Sequence, residues 1–285
     1  MTGIIIQARY NASRLPGKVL KELPLGSGIS VLAQVIRRLK KCQLADLVIL
    51  ATTENQSDDA LVDVANAEKI QCYRGSTENL LERYYKAAQK YNLSTIVRIT
   101  ADCPCIDPKE VDRLIKKHLA TNSDFTSMAL GPRTYPHGIE VEVFSISALE
   151  QSYQNATTDY EKEHINIYAE ETAPQKFKIT SAPAPKSLTS PDIRITLDTP
   201  KDYTLLCAVY DFLYPADPFF DTAAIIKLFK LRPWLYEINR DVVQKKMYAT
   251  VKDELLEAEK VLGLQELHRA RKFILQQLEN NDQQS

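Results

Sequence analysis

A chain of 285 residues with 44% hydrophobic content is long enough to bury a sizeable core, which argues against a disordered polypeptide. Its 36 basic and 37 acidic residues nearly cancel, so no net field favours nucleic acid or an acidic membrane, and anion binding must be local. No run approaches ~18 consecutive apolar residues and the N-terminus lacks a secretion-signal pattern, so a soluble, cytoplasmic protein without nucleic-acid or membrane partners is expected. The five cysteines (Cys42, Cys72, Cys103, Cys105, Cys207) lack paired spacing and fit buried, reduced thiols. The four histidines show no i, i+4 pair, so a histidine-based metal site has no support.

In chain order, apolar runs at 4–8, 47–52 and 95–100 predict strands, separated by helical patterns near 30–41, 57–68 and 77–91. A further short strand precedes Arg74-Gly75-Ser76. This alternation predicts a largely parallel sheet covered by helices. Asp107-Pro108-Lys109-Glu110 supplies an N-cap, a proline at N1 and an acid at N3, so a helix starts there and runs to about 121. The strand ending near Thr100 delivers Asp102 into the loop ahead of that helix, where open α/β sheets bind ligands.

Beyond it, segments 124–129, 139–145, 176–182 and 193–197 read as strands and 146–155, 159–171 and 200–213 as helices, implying mixed strand directions. Pro183, Pro185 and Pro191 mark an irregular loop. From about 236 a charged region containing NRDVVQKK (239–246) reads as helices outside the sheet, with one apolar stripe at Leu267, Ala270, Ile274 and Leu278. The expected division is a catalytic domain over 1–235 and a helical extension over 236–285.

The sharpest chemical signal is IIIQARYNASRLPGK at 4–18, where a strand runs into a loop carrying Ala8, Arg9, Ser13, Arg14, Gly17 and Lys18. Three cations on one turn match the clustered oxygens of a triphosphate, guanidinium groups as forks and lysine as a point charge. A solvated basic loop is the plain alternative. A Walker loop is excluded, because Ala12 stands where its first glycine belongs and Val19 replaces the magnesium-binding hydroxyl.

This loop resembles that of the cytidylyltransferase family, which activates acidic sugars such as sialic acid and Kdo as CMP conjugates. The chain is most similar to the family's spore-coat polysaccharide biosynthesis protein F group, through RGSTENLLERYYKAA (74–88), VRITADCPCID (97–107), YPHGIEVEVF (135–144), YEKEH (160–164) and RITLDTPKDY (194–203). The resemblance spans roughly 3–215. It implies an α/β fold of the nucleotide-diphospho-sugar transferase type (Rossmann-like, GT-A-like), a mixed sheet flanked by helices, here with a C-terminal helical extension. It implies Asp102 and Asp198 as ligands of Mg2+, and Arg9 and Lys18 with them as the catalytic groups.

CTP would then be held by Ala8, Arg9, Ser13, Arg14, Lys18 and Arg74, the last near the nucleotide, at its base or not, with a plain surface arginine as the alternative. The acceptor, a small acidic sugar, would meet Tyr135, His137, Gly138, Glu140, Glu142, Glu163 and His164, the last either a base or a buried donor. Thr199 provides the cap of the helix after Asp198, with Asp202 its N3 acid. Tight turns are expected at Gly17, Gly75 and Gly138. Thr100 stands where Kdo-activating members carry glutamine. The implied reaction is CMP transfer from CTP with release of pyrophosphate, in polysaccharide or glycoconjugate biosynthesis, by a homodimer. A glycosyltransferase using a preformed nucleotide sugar, or a non-catalytic nucleotide-binding protein, are the competing readings.

Overall fold

A computed structural model describes residues 1–11, 14–242 and 250–282. Its seven strands are β1 (Thr2–Gln7), β2 (Leu47–Thr53), β3 (Gln71–Gly75), β4 (Thr95–Thr100), β5 (Phe125–Ser127), β6 (Glu142–Ser145) and β7 (Ile179–Ser181). They form one sheet in the order β3-β2-β1-β4-β6-β5-β7. The first four run parallel, and β6 alone among the described strands runs against its neighbours.

Eleven α-helices are described: α1 (Val31–Leu39), α2 (Asp59–Ala67), α3 (Leu80–Lys90), α4 (Pro108–Thr121), α5 (Ile146–Asn155), α6 (Asp159–Glu163), α7 (Pro200–Leu213), α8 (Thr222–Leu231), α9 (Leu235–Asn239), α10 (Val251–Leu264) and α11 (His268–Asp282). Alternate residues of β1 face opposite ways, as a strand's period of two requires. Ile4 and Ile6 join the core under α1, α2, α4, α7 and α8, and Ile5 joins the one under α3 and α5. With apolar side chains on both faces, β1 is a central, doubly covered strand. The architecture is thus a mixed α/β sheet flanked by helices, with helices at the C-terminus.

The caps explain where the helices begin. Asp107 accepts the Lys109 N–H with Pro108 at N1, as expected, and its second oxygen receives the N–H and hydroxyl of Thr222 at the start of α8. Thr199 and Asp202 form a reciprocal capping box on α7.

Three local expectations are corrected. Residues 193–197 form no strand but a single parallel bridge between His137 and Arg194, because Leu197 directs its N–H to Asp102 instead. The helix expected over 159–171 stops at Glu163, where His164 turns to an extended conformation, and a π-turn follows at Tyr168–Thr172. Gly75 makes no turn. It ends β3 without a positive φ, and a Cβ there would lie 2.7 Å from the Tyr73 ring, so its smallness makes room for Tyr73.

The chain divides into two compact units, Met1–Val242 and Val243–Ser285, so the first runs past the expected boundary at 235. The reason is α9: Leu235 is fully buried, and Asn239 donates to Arg194 O at 3.1 Å and to Asp202 Oδ1 at 2.8 Å. The second unit holds α10 and α11, joined by an ion pair between Arg271 and Glu259. In α11's stripe Ile274 is half-buried and Leu278 buried, while Ala270 is exposed and Leu267 precedes the helix. Part of NRDVVQKK lies outside the described residues.

Candidate active site

The parallel strands β1 to β4 end along one edge, and the loops leaving them build the site. At the end of β1, Ala8 is buried and donates to Ala51 O on β2 at 3.2 Å, so the loop leaves from a fixed point. Tyr10 N–H donates to Asp58 Oδ1 at 2.7 Å, and Gly17 N–H closes the loop onto Tyr10 O at 2.9 Å. Gly17 sits at φ 67°, the left-handed region that glycine enters without strain, and starts the short 3₁₀ turn that aims Lys18 inward. Ser13, expected to hold the nucleotide, lies outside the described residues.

Asp102 and Asp198, distant in sequence, are brought together by backbone. Leu197 N–H donates to Asp102 O at 2.8 Å and the Thr196 hydroxyl to the same oxygen at 3.3 Å, so the next residue places its carboxylate beside that of Asp102. Between them stands Lys18, whose Nζ is 2.6 Å from Asp102 Oδ2 and 2.9 Å from Asp198 Oδ1. Asp198 Oδ2 is also met by Arg14 at 3.1 Å and Arg194 at 2.8 Å. Burial works to raise the Asp198 pKa, yet Lys18, then Arg14 and Arg194, hold it below the ordinary carboxylate value. For Lys18 burial pulls downward and the two carboxylates outweigh it, leaving its pKa raised.

Arg194 and Asp202, which chain-order reading passed over as site residues, hold Asp198 in place. Arg194 Nε donates to Asp202 Oδ1 at 2.9 Å while Nη1 donates to His137 Nδ1 at 3.0 Å. Asp202 Oδ2 accepts the N–H groups of Asp198 and Thr199 at 3.1 and 2.9 Å. The capping box of α7 and the placement of Asp198 are therefore one network, whose only mark in the sequence is the N3 acid. With Nδ1 accepting, the neutral His137 ring carries its proton on Nε2. Burial, then Arg133 and Arg194, push the His137 pKa down to about 4.

Gly138 permits the close approach of this strap, its φ being 112°, and a Cβ there would lie 2.9 Å from Ile195 O. Glu140 Oε2 accepts the Gly138 N–H at 2.9 Å, and its other oxygen pairs with Arg133. Glu142 on β6 is paired with Arg98, directly opposite on β4, at 2.7 Å. Arg98 Nε and the Tyr84 hydroxyl both donate to Gln7 Oε1, at 3.2 and 3.1 Å, an arrangement with no sequence signal. Arg9 is exposed and reaches Glu163 at 3.6 Å, which joins the basic loop to the YEKEH segment. His164 ends α6, its N–H on Tyr160 O at 3.0 Å and its ring packed on that of Tyr160.

Arg74 and Tyr135, both expected to meet a ligand, have partners within the chain. Arg74 donates to Thr53 O, Asn55 O and Asp59 Oδ1 at 2.9, 2.8 and 2.6 Å, so it buttresses the loop after β2. Tyr135 is fully buried, its hydroxyl donating to Glu110 and accepting from Arg113, both on α4. It packs the core and does not line the carboxylate cluster.

The sequence pattern of the cytidylyltransferase family matches residues 3–254. The chain belongs to the cytidylyltransferase family. It is 34% identical over 244 residues to an uncharacterized protein of Methanocaldococcus jannaschii, covering 85% of this chain and 95% of that one. It is 32% identical over 214 residues to the spore coat polysaccharide biosynthesis protein SpsF of Bacillus subtilis, covering 72% and 85%. A cytidylyltransferase structure from Leptospira borgpetersenii superposes with a TM-score of 0.76 at 32% identity, over 87% of this chain and 98% of that one. A CMP:2-keto-3-deoxy-manno-octonic acid synthetase complexed with CTP shares the fold, with a TM-score of 0.56 at 15% identity over 74% and 98%. The chain is therefore a nucleotidyltransferase of the cytidylyltransferase type, with the nucleotide-diphospho-sugar transferase fold. No described helix is long and apolar enough to cross a membrane.

Proposed function

We propose that this cytidylyltransferase moves CMP from CTP to an acidic sugar or related acid, with magnesium on Asp102 and Asp198. The observation that carries this reading is the convergence of two carboxylates on one cation, Lys18 Nζ, at 2.6 and 2.9 Å, with Arg14 and Arg194 flanking. Among the described residues no three His, Cys, Asp or Glu side chains gather into a closed metal cage. A pair of carboxylates completed by substrate phosphates is the donor set magnesium favours.

When bound, magnesium polarises the α-phosphate and lowers the pKa of the attacking hydroxyl. An acceptor oxygen then attacks the α-phosphorus as the bond to the β-phosphate breaks and pyrophosphate leaves. Lys18, no longer needed to neutralise the carboxylates, supplies its charge to phosphate oxygens together with Arg9 and Arg14. Arg194 keeps Asp198 oriented throughout.

The likeness to a spore coat polysaccharide protein supports a role in surface polysaccharide or glycoconjugate synthesis, and the proposal includes a cytoplasmic homodimer. The test is pyrophosphate release from CTP, UTP, ATP and GTP with magnesium across a panel of sugar acids, with Asp102→Asn as control. Acceptor-dependent release from CTP alone, lost in the variant, is expected; release from another nucleotide, or none from CTP with any acid, would sink the reading.

A further inference from the structure

Arg83 stands on the first turn of α3, only 5% exposed, and its Nε and Nη1 are sealed from solvent with no hydrogen-bond acceptor. Among the described residues no carboxylate pairs with it. The other interior arginines of this chain are satisfied. Arg38, fully buried, donates to the carbonyls of Ile106, Pro218 and Phe220, and Arg98 is paired with Glu142. A guanidinium cannot shed its proton to escape burial, so a buried one without an acceptor is costly unless a ligand completes it.

Its surroundings point to that ligand. Tyr84, the next residue, has its hydroxyl within 3.1–3.4 Å of Gln7 Oε1, Ile5 O and Ile99 O, which puts this turn of α3 under the ends of β1 and β4. Burial lowers the Arg83 pKa most, and Tyr84, Arg9 and Asp58 are the titratable groups whose charge it also feels. Asp58 is already committed, Oδ1 to Tyr10 N–H and Oδ2 to Thr52 and to both the N–H and hydroxyl of Thr53. Among the described residues Arg9 pairs with the exposed Glu163 at 3.6 Å, on α6, which packs against α3. Nε and Nη1 of Arg83 are therefore left without an acceptor among the described residues, although carboxylates lie in the neighbourhood.

We propose that Arg83 forms, with Arg9, an anion site taking one oxyanion group of a bound substrate, either the acceptor's carboxylate or a phosphate of the nucleotide. The inference rests on the function proposed above and names a recognition residue for it. A planar fork suits either group, and desolvation strengthens the contact.

The experiment compares the full chain with Arg83→Met by calorimetric titration of magnesium-CTP, N-acetylneuraminate and 3-deoxy-manno-octulosonate, and by thermal unfolding without ligand. An affinity loss of at least tenfold is expected for one class of probe, magnesium-CTP assigning the group to a phosphate and a sugar acid to a carboxylate. The free variant should unfold at the same or a higher temperature, because an unpaired buried charge has been exchanged for an apolar stem. Affinities within twofold of the parent for every probe overturn the proposal, as does a parent chain that binds none of them. Arg83→Gln repeats the titrations if the methionine variant does not fold. Pyrophosphate release by the parent chain reads the proposed reaction independently, so the two ideas fail separately.

Discussion

Asp198 accepts from Lys18 on one oxygen and from Arg14 and Arg194 on the other, while its own N–H is held by Asp202. Replacing it with asparagine leaves those cations facing a neutral amide and removes half of the carboxylate pair. Turnover of Asp198→Asn, read as pyrophosphate release, is expected to fall on the order of 10²-fold or more. Arg194→Lys keeps the charge, but a lysine cannot span Asp198, Asp202 and His137 together. An approximately tenfold lower kcat is expected, with folding retained by circular dichroism, since an ammonium can keep one of the ion pairs. Lys18, Asp102 and Asp198 were legible as residues because each falls in a motif at a strand or loop end. Arg194 and Asp202 were not, since their importance lies in partners that only folding supplies.

The strap over 137–139 owes its position to Gly138. Gly138→Ala places a methyl 2.9 Å from Ile195 O at an unfavourable φ of 112°. A loss of about 1–3 kcal/mol is expected in denaturant unfolding, with a matching fall in turnover as the His137–Arg194 bridge loosens. On α4, His118 is buried with Nδ1 2.9 Å from the Thr126 hydroxyl of β5, and burial pushes its pKa down to about 4. Below pH 6.5 the unfolded chain binds the proton that the folded chain refuses, so stability falls as pH drops from 6.5 to 4. His118→Asn should flatten that slope by up to about 3 kcal/mol across the window, as read by unfolding free energies at several pH values. Helices with strong caps, α4 and α7, were readable in advance because capping is local chemistry. The break at His164 and the lone bridge at Arg194 were not, because both answer to tertiary neighbours.

At the scale of the molecule, every described polar tie of the carboxylate site lies within Met1–Val242. A chain ending at 242 is expected to unfold cooperatively and to bind magnesium-CTP like the full protein. A chain ending at 235 loses α9 and Asn239's bonds to Arg194 and Asp202, and should be less stable by at least about 2 kcal/mol in urea unfolding. Sequence by itself determined the parallel first half and the basic loop, because hydrophobic period, helix caps and charge spacing act over a few residues at a time, while the two aspartates were marked by the resemblance to the family. Only the tertiary structure decided that Leu197 N–H on Asp102 O sets the two carboxylates side by side, and which partners Arg74 and Tyr135 find within the chain. It alone leaves Nε and Nη1 of Arg83 buried without an acceptor among the described residues, for hydrogen bonds between distant segments carry no local pattern from which to read them.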